Sequence, residues 1–478
     1  MRIVVTFLLN AGLNFGVGLV IAALMGPDLY GRYAVIASTG SLLATALFEW
    51  LRLSTARFYG ETQRGSVPAL RPSLDACYHV LTAVLVVGGV LALGLPGRFG
   101  VTPSLAGAVV LAAVANGGFD YCGALARARF MDRDYAGLVI GKGVLGLAAA
   151  AAAAQWTHDP AAVLAAQAVG SLVAILPSRG ALADPGRAPP ARSLIRRFAA
   201  YGLPVVAANV VFQAILLFNR SVAASRLGFA TAGHLSLATD IELRLFLAVG
   251  AALDVLLFQL AVRGEAVAGP SGAAQQLRRN IVDVAAVLLL LGVLFAAVLP
   301  AFTALIVPER FRDGFVPLAL AVLPGILLFC FGQFAINPVF QMAHRTRPII
   351  LGALSSAAVD GLGLLLVPAT AGPIGIAAVH SVSLGGGTLC LAWLAHRDAA
   401  IRPRLQDAVG LLAATAVAGL AVWPLRALPA PLVLGTAAVI GPLGFAAVLL
   451  LGDVGVMRQR AAWLRACVLR LVPTREVA

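Results

Sequence analysis

Apolar stretches of about twenty residues recur fourteen times along this chain, with only short polar turns between them. A bilayer core about 30 Å thick takes roughly 20 helical residues to cross. The spacing predicts spans at 3–25, 33–51, 75–95, 104–125, 135–156, 161–178, 199–218, 234–258, 281–300, 315–337, 349–367, 374–395, 405–423 and 431–451. A chain of 478 residues so divided has no loop large enough for a domain outside the membrane; the longest links fall near 52–74, 179–198 and 260–280. The expected fold is an all-α polytopic membrane protein.

Composition agrees. Sixty per cent of residues are hydrophobic and 12% charged, where an ordinary soluble domain is about half apolar and a quarter charged. The net charge of +14 would suggest nucleic acid in a soluble protein. Here most of the 35 Lys and Arg residues fall on one set of alternate links and on the C-terminal tail (Arg458, Arg460, Arg465, Arg470, Arg475). Basic residues gather on cytoplasmic loops, so the bias predicts both termini in the cytoplasm and no nucleic-acid partner. The first apolar run, Ile3 to Met25, is longer than a signal-peptide core and reads as a retained helix.

Cys77, Cys122, Cys330, Cys390 and Cys467 are scattered, with no spacing suited to a metal or a disulfide framework. No phosphate-cradling glycine loop or catalytic set is present. The expectation is a protein without cofactor or enzymatic chemistry.

The chain repeats itself. Leu24-Met25-Gly26-Pro27-Asp28-Leu29-Tyr30-Gly31 returns 202 residues later as Arg226-Leu227-Gly228-Phe229-Ala230-Thr231-Ala232-Gly233, with both glycines in register. Glycine suits a helix end that needs positive φ, and Pro27 blocks further helix. Six spans lie between the two turns, an even number, so the halves run in parallel about an axis normal to the membrane. This predicts lobes at 1–198 (spans 1–6) and 199–399 (spans 7–12), with spans 13–14 and the basic tail at 400–478.

Ionisable groups inside spans cost at least about 2.5–3.5 kcal/mol each on insertion scales and mark candidate sites. Span 8 carries Asp240, Glu242, Arg244 and Asp254. At 100° per residue, Asp254, Asp240 and Arg244 share an arc of about 80°, and Glu242 lies opposite. The arc is either a polar stripe facing an aqueous cavity or, for the i,i+4 couple Asp240–Arg244, a structural ion pair. Lys142, the single lysine, sits in span 5 and Asp360 near the middle of span 11. Asn14, Asn209 and Gln213 add uncharged groups, Asn14 and Asn209 at near-equivalent places in the repeat. His380 reads as a packed, hydrogen-bonded residue, and Glu49, Asp75 and Asp283 as solvated span ends.

The segment Leu24 to Ala34 resembles the signature of bacterial polysaccharide transporters and O-antigen-type oligosaccharide flippases, a family of the multidrug/oligosaccharidyl-lipid/polysaccharide exporter superfamily. So do the basic turn Arg127 to Ala136 and the stretch Asn219-Arg220 followed by Arg226-Leu227-Gly228, with Asn219 where that family often has an acidic residue. The resemblance implies a V-shaped pair of lobes rocking about a central cavity in the bacterial inner membrane. Its substrate would be a polyprenyl-diphosphate-linked oligosaccharide, moved between leaflets for surface polysaccharide or lipopolysaccharide synthesis, with membrane lipid and polymerase or export machinery as partners. Lys142, Arg244 and Arg220 are then the candidate contacts to the diphosphate. The alternatives are a cation-coupled drug exporter, whose acidic residue in span 1 is missing here, and a peptidoglycan-precursor flippase, whose polar signature the first helices lack. From other classes come a glycan polymerase or ligase, which would need a larger external loop, and a non-transporting assembly scaffold.

Overall fold

The computed structural model describes residues 2–93, 102–184, 188–343, 345–399 and 404–456. The predicted basic tail and the last residues of the span at 75–95 lie outside these. Among the described residues the chain is helices and short turns, with no strand. Twelve helices are long and apolar enough to cross a membrane. In chain order they begin with α1 (Arg2–Phe58), α2 (Leu70–Leu93), α3 (Pro103–Ala128), α4 (Asp132–Thr157), α5 (Pro160–Val173, which short helical turns extend to a span ending at Leu182) and α6 (Arg192–Leu227). There follow α7 (Phe229–Ile306), α8 (Phe315–Phe331, whose span continues helically to Met342), α9 (Arg347–Leu366), α10 (Gly372–Ala399), α11 (Leu405–Val422) and α12 (Ala430–Leu451).

Two of these helices each carry two spans, which restores the predicted fourteen. The 57-residue α1 turns at Gly26, where φ is 73°, and resumes at Pro27. The 78-residue α7 breaks at Ala268 and Gly269, just before Pro270. The link at 260–280, expected as a long loop, is therefore a helical hairpin. Its arms approach so closely that a methyl group at Gly272 would overlap the carbonyl of Gly264. Helix also runs on to Phe58 and starts as early as Arg192, shortening the other two long links. Charged residues at these ends solvate the helix where it leaves the lipid, so hydropathy marks the membrane boundary and not the helix boundary.

Outward faces confirm the solvent for which the helices are built. On α2, Val80, Val84, Val87, Val90 and Leu91 are all well exposed. In water that stripe would drive aggregation; in lipid it costs nothing, since acyl chains are as apolar as valine.

The helices form two compact units, each discontinuous in sequence. The first comprises residues 1–245, 308–325 and 346–387. One of its buried cores gathers Leu51, Tyr59, Leu74, Leu125, Leu138 and Phe198. The second comprises residues 246–307, 326–345 and 388–478, with a core of Val282, Leu411, Ala414, Ala418, Phe445 and Leu449.

Inside the first unit the two repeated turns meet. Gly26 and Gly228 both take positive φ, 73° and 89°, the left-handed region that glycine enters without a Cβ clash. Five residues on, Gly31 and Gly233 touch. A methyl group at Gly31 would overlap the carbonyl oxygen of Phe229, and one at Gly233 the carbonyl oxygen of Pro27. Pro27 and Phe229 are themselves equivalent in the repeat. The crossing is thus reciprocal: each glycine lies against the carbonyl four residues before the other.

Candidate functional site

The first unit buries a polar cluster on α1, α6 and α7. Arg220 is 5% exposed. One guanidinium nitrogen donates to Ser38 Oγ at 2.6 Å and to the Ala34 carbonyl at 3.3 Å. The other forms an ion pair with Asp240. Tyr30 adds its hydroxyl to the same carboxylate at 3.3 Å. Ala34 and Ser38 stand one turn apart on α1, so a single fork reaches both. A buried guanidinium needs a counter-charge and several acceptors to offset its lost hydration, and α1 and α7 provide them.

Of the two readings left open for Asp240 and Arg244, the structure does not form the i,i+4 ion pair: the partner of Asp240 is Arg220. Arg244 instead points to α1, where it donates to the backbone carbonyl of Asn14 and lies over Gly18, at which a Cβ would stand 3.1 Å from the guanidinium. The buried cation has the stronger claim on the carboxylate. Arg244, only half-buried, keeps part of its hydration and forms no ion pair among the described residues.

Beside Arg220, Asn219 donates its amide to both oxygens of Asp360 at 2.8 and 2.9 Å and to the Ile215 carbonyl at 3.0 Å. Asp360 is 1% exposed, so this contact ties α6 to α9 in the interior. Adjacent residues 219 and 220 thus engage two different carboxylates. In sequence Asn219 stood out only through the resemblance carried by Asn219-Arg220, just past the predicted span 199–218; its partner on a distant span left no local trace.

The remaining candidates are dispersed. Lys142 on α4 donates to Asn116 Oδ1 at 3.1 Å and lies 4.1 Å from the Phe119 ring centroid, both on α3. Asn209 donates to Glu49 at 3.0 Å, and Arg52 reaches the same oxygen at 2.9 Å. Glu49 is therefore a partnered group and not merely a solvated end. Asp75 is likewise engaged, receiving Arg71 at 2.9 Å and the Tyr121 hydroxyl at 2.6 Å. Gln213 is half-buried on α6, and Asn14 is exposed on α1. Asp254 belongs to the second unit and is half-buried there.

Two buried groups stand out for lacking partners. Glu242 is wholly buried, and neither carboxyl oxygen has a hydrogen-bond partner among the described residues. His380 is buried too, with both ring nitrogens unpartnered among those residues. It is packed as expected, but not hydrogen-bonded.

No family model matches the chain, and no curated protein matches it in sequence. Solved structures do. The structure of the lipid II flippase MurJ in an inward closed conformation superposes with a TM-score of 0.70 at 12% identity, covering 95% of this chain and 99% of that one. An inward-facing multidrug resistance MATE family transporter of the MOP superfamily gives 0.53 at 14% identity, over 83% and 94% of the two chains. This chain shares the fold of these two proteins. A MATE in complex with MaD5 gives 0.54 at 13% identity, over 84% and 96%. At these identities the likeness concerns the fold alone, the all-helical, multi-pass architecture that the apolar pattern predicted.

Proposed function

We propose that this protein is a flippase that moves a polyprenyl-diphosphate-linked oligosaccharide across the bacterial inner membrane for surface polysaccharide synthesis. The carrying observation is Arg244. Of the three candidate cations, Arg220 is committed to Asp240 and Ser38, and Lys142 rests on Asn116 and Phe119. Arg244 alone combines partial exposure with a single backbone acceptor. A guanidinium so placed offers its remaining N–H groups to a diphosphate, which it grips bidentately. The fold likeness to a lipid II flippase supports a lipid-linked cargo.

In this reading the lobes 1–198 and 199–399 rock about the cargo, both termini lie in the cytoplasm, and polymerase or export machinery takes over the flipped lipid. The MATE neighbours support a second reading, export of a drug-like cation. Two of the acidic groups that could bind a cation, Asp240 and Asp360, are already engaged by Arg220 and Asn219, and a third, Glu242, is closed off from solvent, which favours an anionic cargo. A deletion strain tests the choice. Lipid-linked oligosaccharide should accumulate on the cytoplasmic side, with loss of surface glycan. Normal glycan, with drug resistance on overexpression, would favour the exporter.

A further inference from the structure

We infer that the Gly31–Gly233 crossing is the outer gate of the transport path, a seal of bare backbone that parts and recloses in each cycle. The inference rests on the alternating-access reading above. Its turns follow spans 1 and 7, and a third segment, Glu309–Phe311, follows span 9. All three come after odd-numbered spans, so all lie on one side of the membrane, the outer side in the proposed topology.

The seal has a small centre and a removable rim. At the centre no side chain interlocks, because each glycine lies directly against the other helix: a Cβ at Gly31 would stand 2.9 Å from the Gly233 nitrogen, and one at Gly233 would stand 3.2 Å from the Gly31 nitrogen. Among the described residues no backbone hydrogen bond joins the two segments. Such a contact excludes water when closed, yet breaks no strong bond when it opens.

Around it, Phe311 is fully buried, with its ring 5.7 Å from that of Tyr30 and 5.1 Å from that of His234. The Arg32 guanidinium lies 4.3 Å from the Phe229 ring centroid. Phe311 thus plugs both repeat-related helices at once, and Arg32 bridges them. One layer deeper, Tyr30, Ser38, Arg220 and Asp240 tie the same helices together with hydrogen bonds and charge. Gly233, Ser236 and Asp240 share a face of α7 at i, i+3 and i+7, so one face carries seal and latch.

A side-chain accessibility experiment reads the gate without knowledge of the cargo. In a background with the five native cysteines replaced, Ser236→Cys places a thiol at a site that is fully buried and free of hydrogen bonds among the described residues. A membrane-impermeant maleimide added outside intact cells should label it slowly. Gly31→Ala or Gly233→Ala adds a methyl where none fits and should speed labelling roughly tenfold, the scale of a modest overpacking penalty. Labelling unchanged in both variants would overturn the gate. Should the alanine variants fail to reach the membrane, the pair Arg32→Cys and Phe229→Cys decides, bridged by a short cleavable thiol cross-linker. Export of surface glycan should stop on cross-linking and return on reduction; full export while cross-linked would overturn the gate. Responsive labelling together with normal glycan in a deletion strain would keep the gate and remove the proposed cargo.

Discussion

At the residue scale, the buried charges sort by partner. Arg220 and Asp240 form one closed set, and removing one member strands the other. Arg220→Ala is expected to cost about 3–5 kcal/mol, the usual penalty for breaking a buried pair, with part recovered in the double variant Arg220→Ala/Asp240→Ala. Thermal unfolding of the purified protein in detergent checks both. Arg244 differs because it has no carboxylate to strand. Arg244→Ala should leave membrane abundance and unfolding temperature near native while lowering surface glycan, and Arg244→Lys should restore only part, since an ammonium cannot fork onto two phosphate oxygens. Glu242→Gln should keep or raise the unfolding temperature, because an amide is cheaper to bury than an unpartnered carboxyl that must hold a proton or a charge. The helical arc correctly set Glu242 apart from Asp240. It missed Arg220 as the partner of Asp240, because angle along one helix says nothing of what a neighbouring helix presents.

At the element scale, the hydropathy pattern and the glycine register carried most of the fold. Span 1 and span 2 were separable in sequence by Gly26-Pro27, and the structure joins them through one positive-φ glycine. The hairpin at 260–280 was not legible, since Arg263, Glu265 and the Gly269-Pro270 pair read equally well as loop. Interhelical ties such as Asn219–Asp360 join residues 141 apart, and single-sequence periodicity carries no such information. Asn219→Leu is expected to remove the amide while leaving Asp360 buried, at a cost of about 1–3 kcal/mol. Asn219→Asp should be worse at neutral pH, because it sets two carboxylates face to face. Comparing the two variants' unfolding temperatures tests whether charge or lost hydrogen bonding dominates at this junction.

At the scale of the whole molecule, the fourteen predicted spans fall on twelve long helices among the described residues, two of them broken, and basic residues on alternate links predict the orientation. A thiol placed on the link after Phe58 should react only from the cytoplasm, and one beside Asp28 only from outside; the reverse pattern would invert the topology. Beyond orientation stands the central claim, that the molecule itself carries a diphosphate-linked glycolipid between leaflets. The direct measurement uses purified protein in liposomes loaded with a polyprenyl-diphosphate oligosaccharide, scored by the fraction open to an external glycosidase. That fraction should rise with protein content and fall for Arg244→Ala. Equal exposure with and without protein, alongside protein-dependent movement of an organic cation, would contradict the claim.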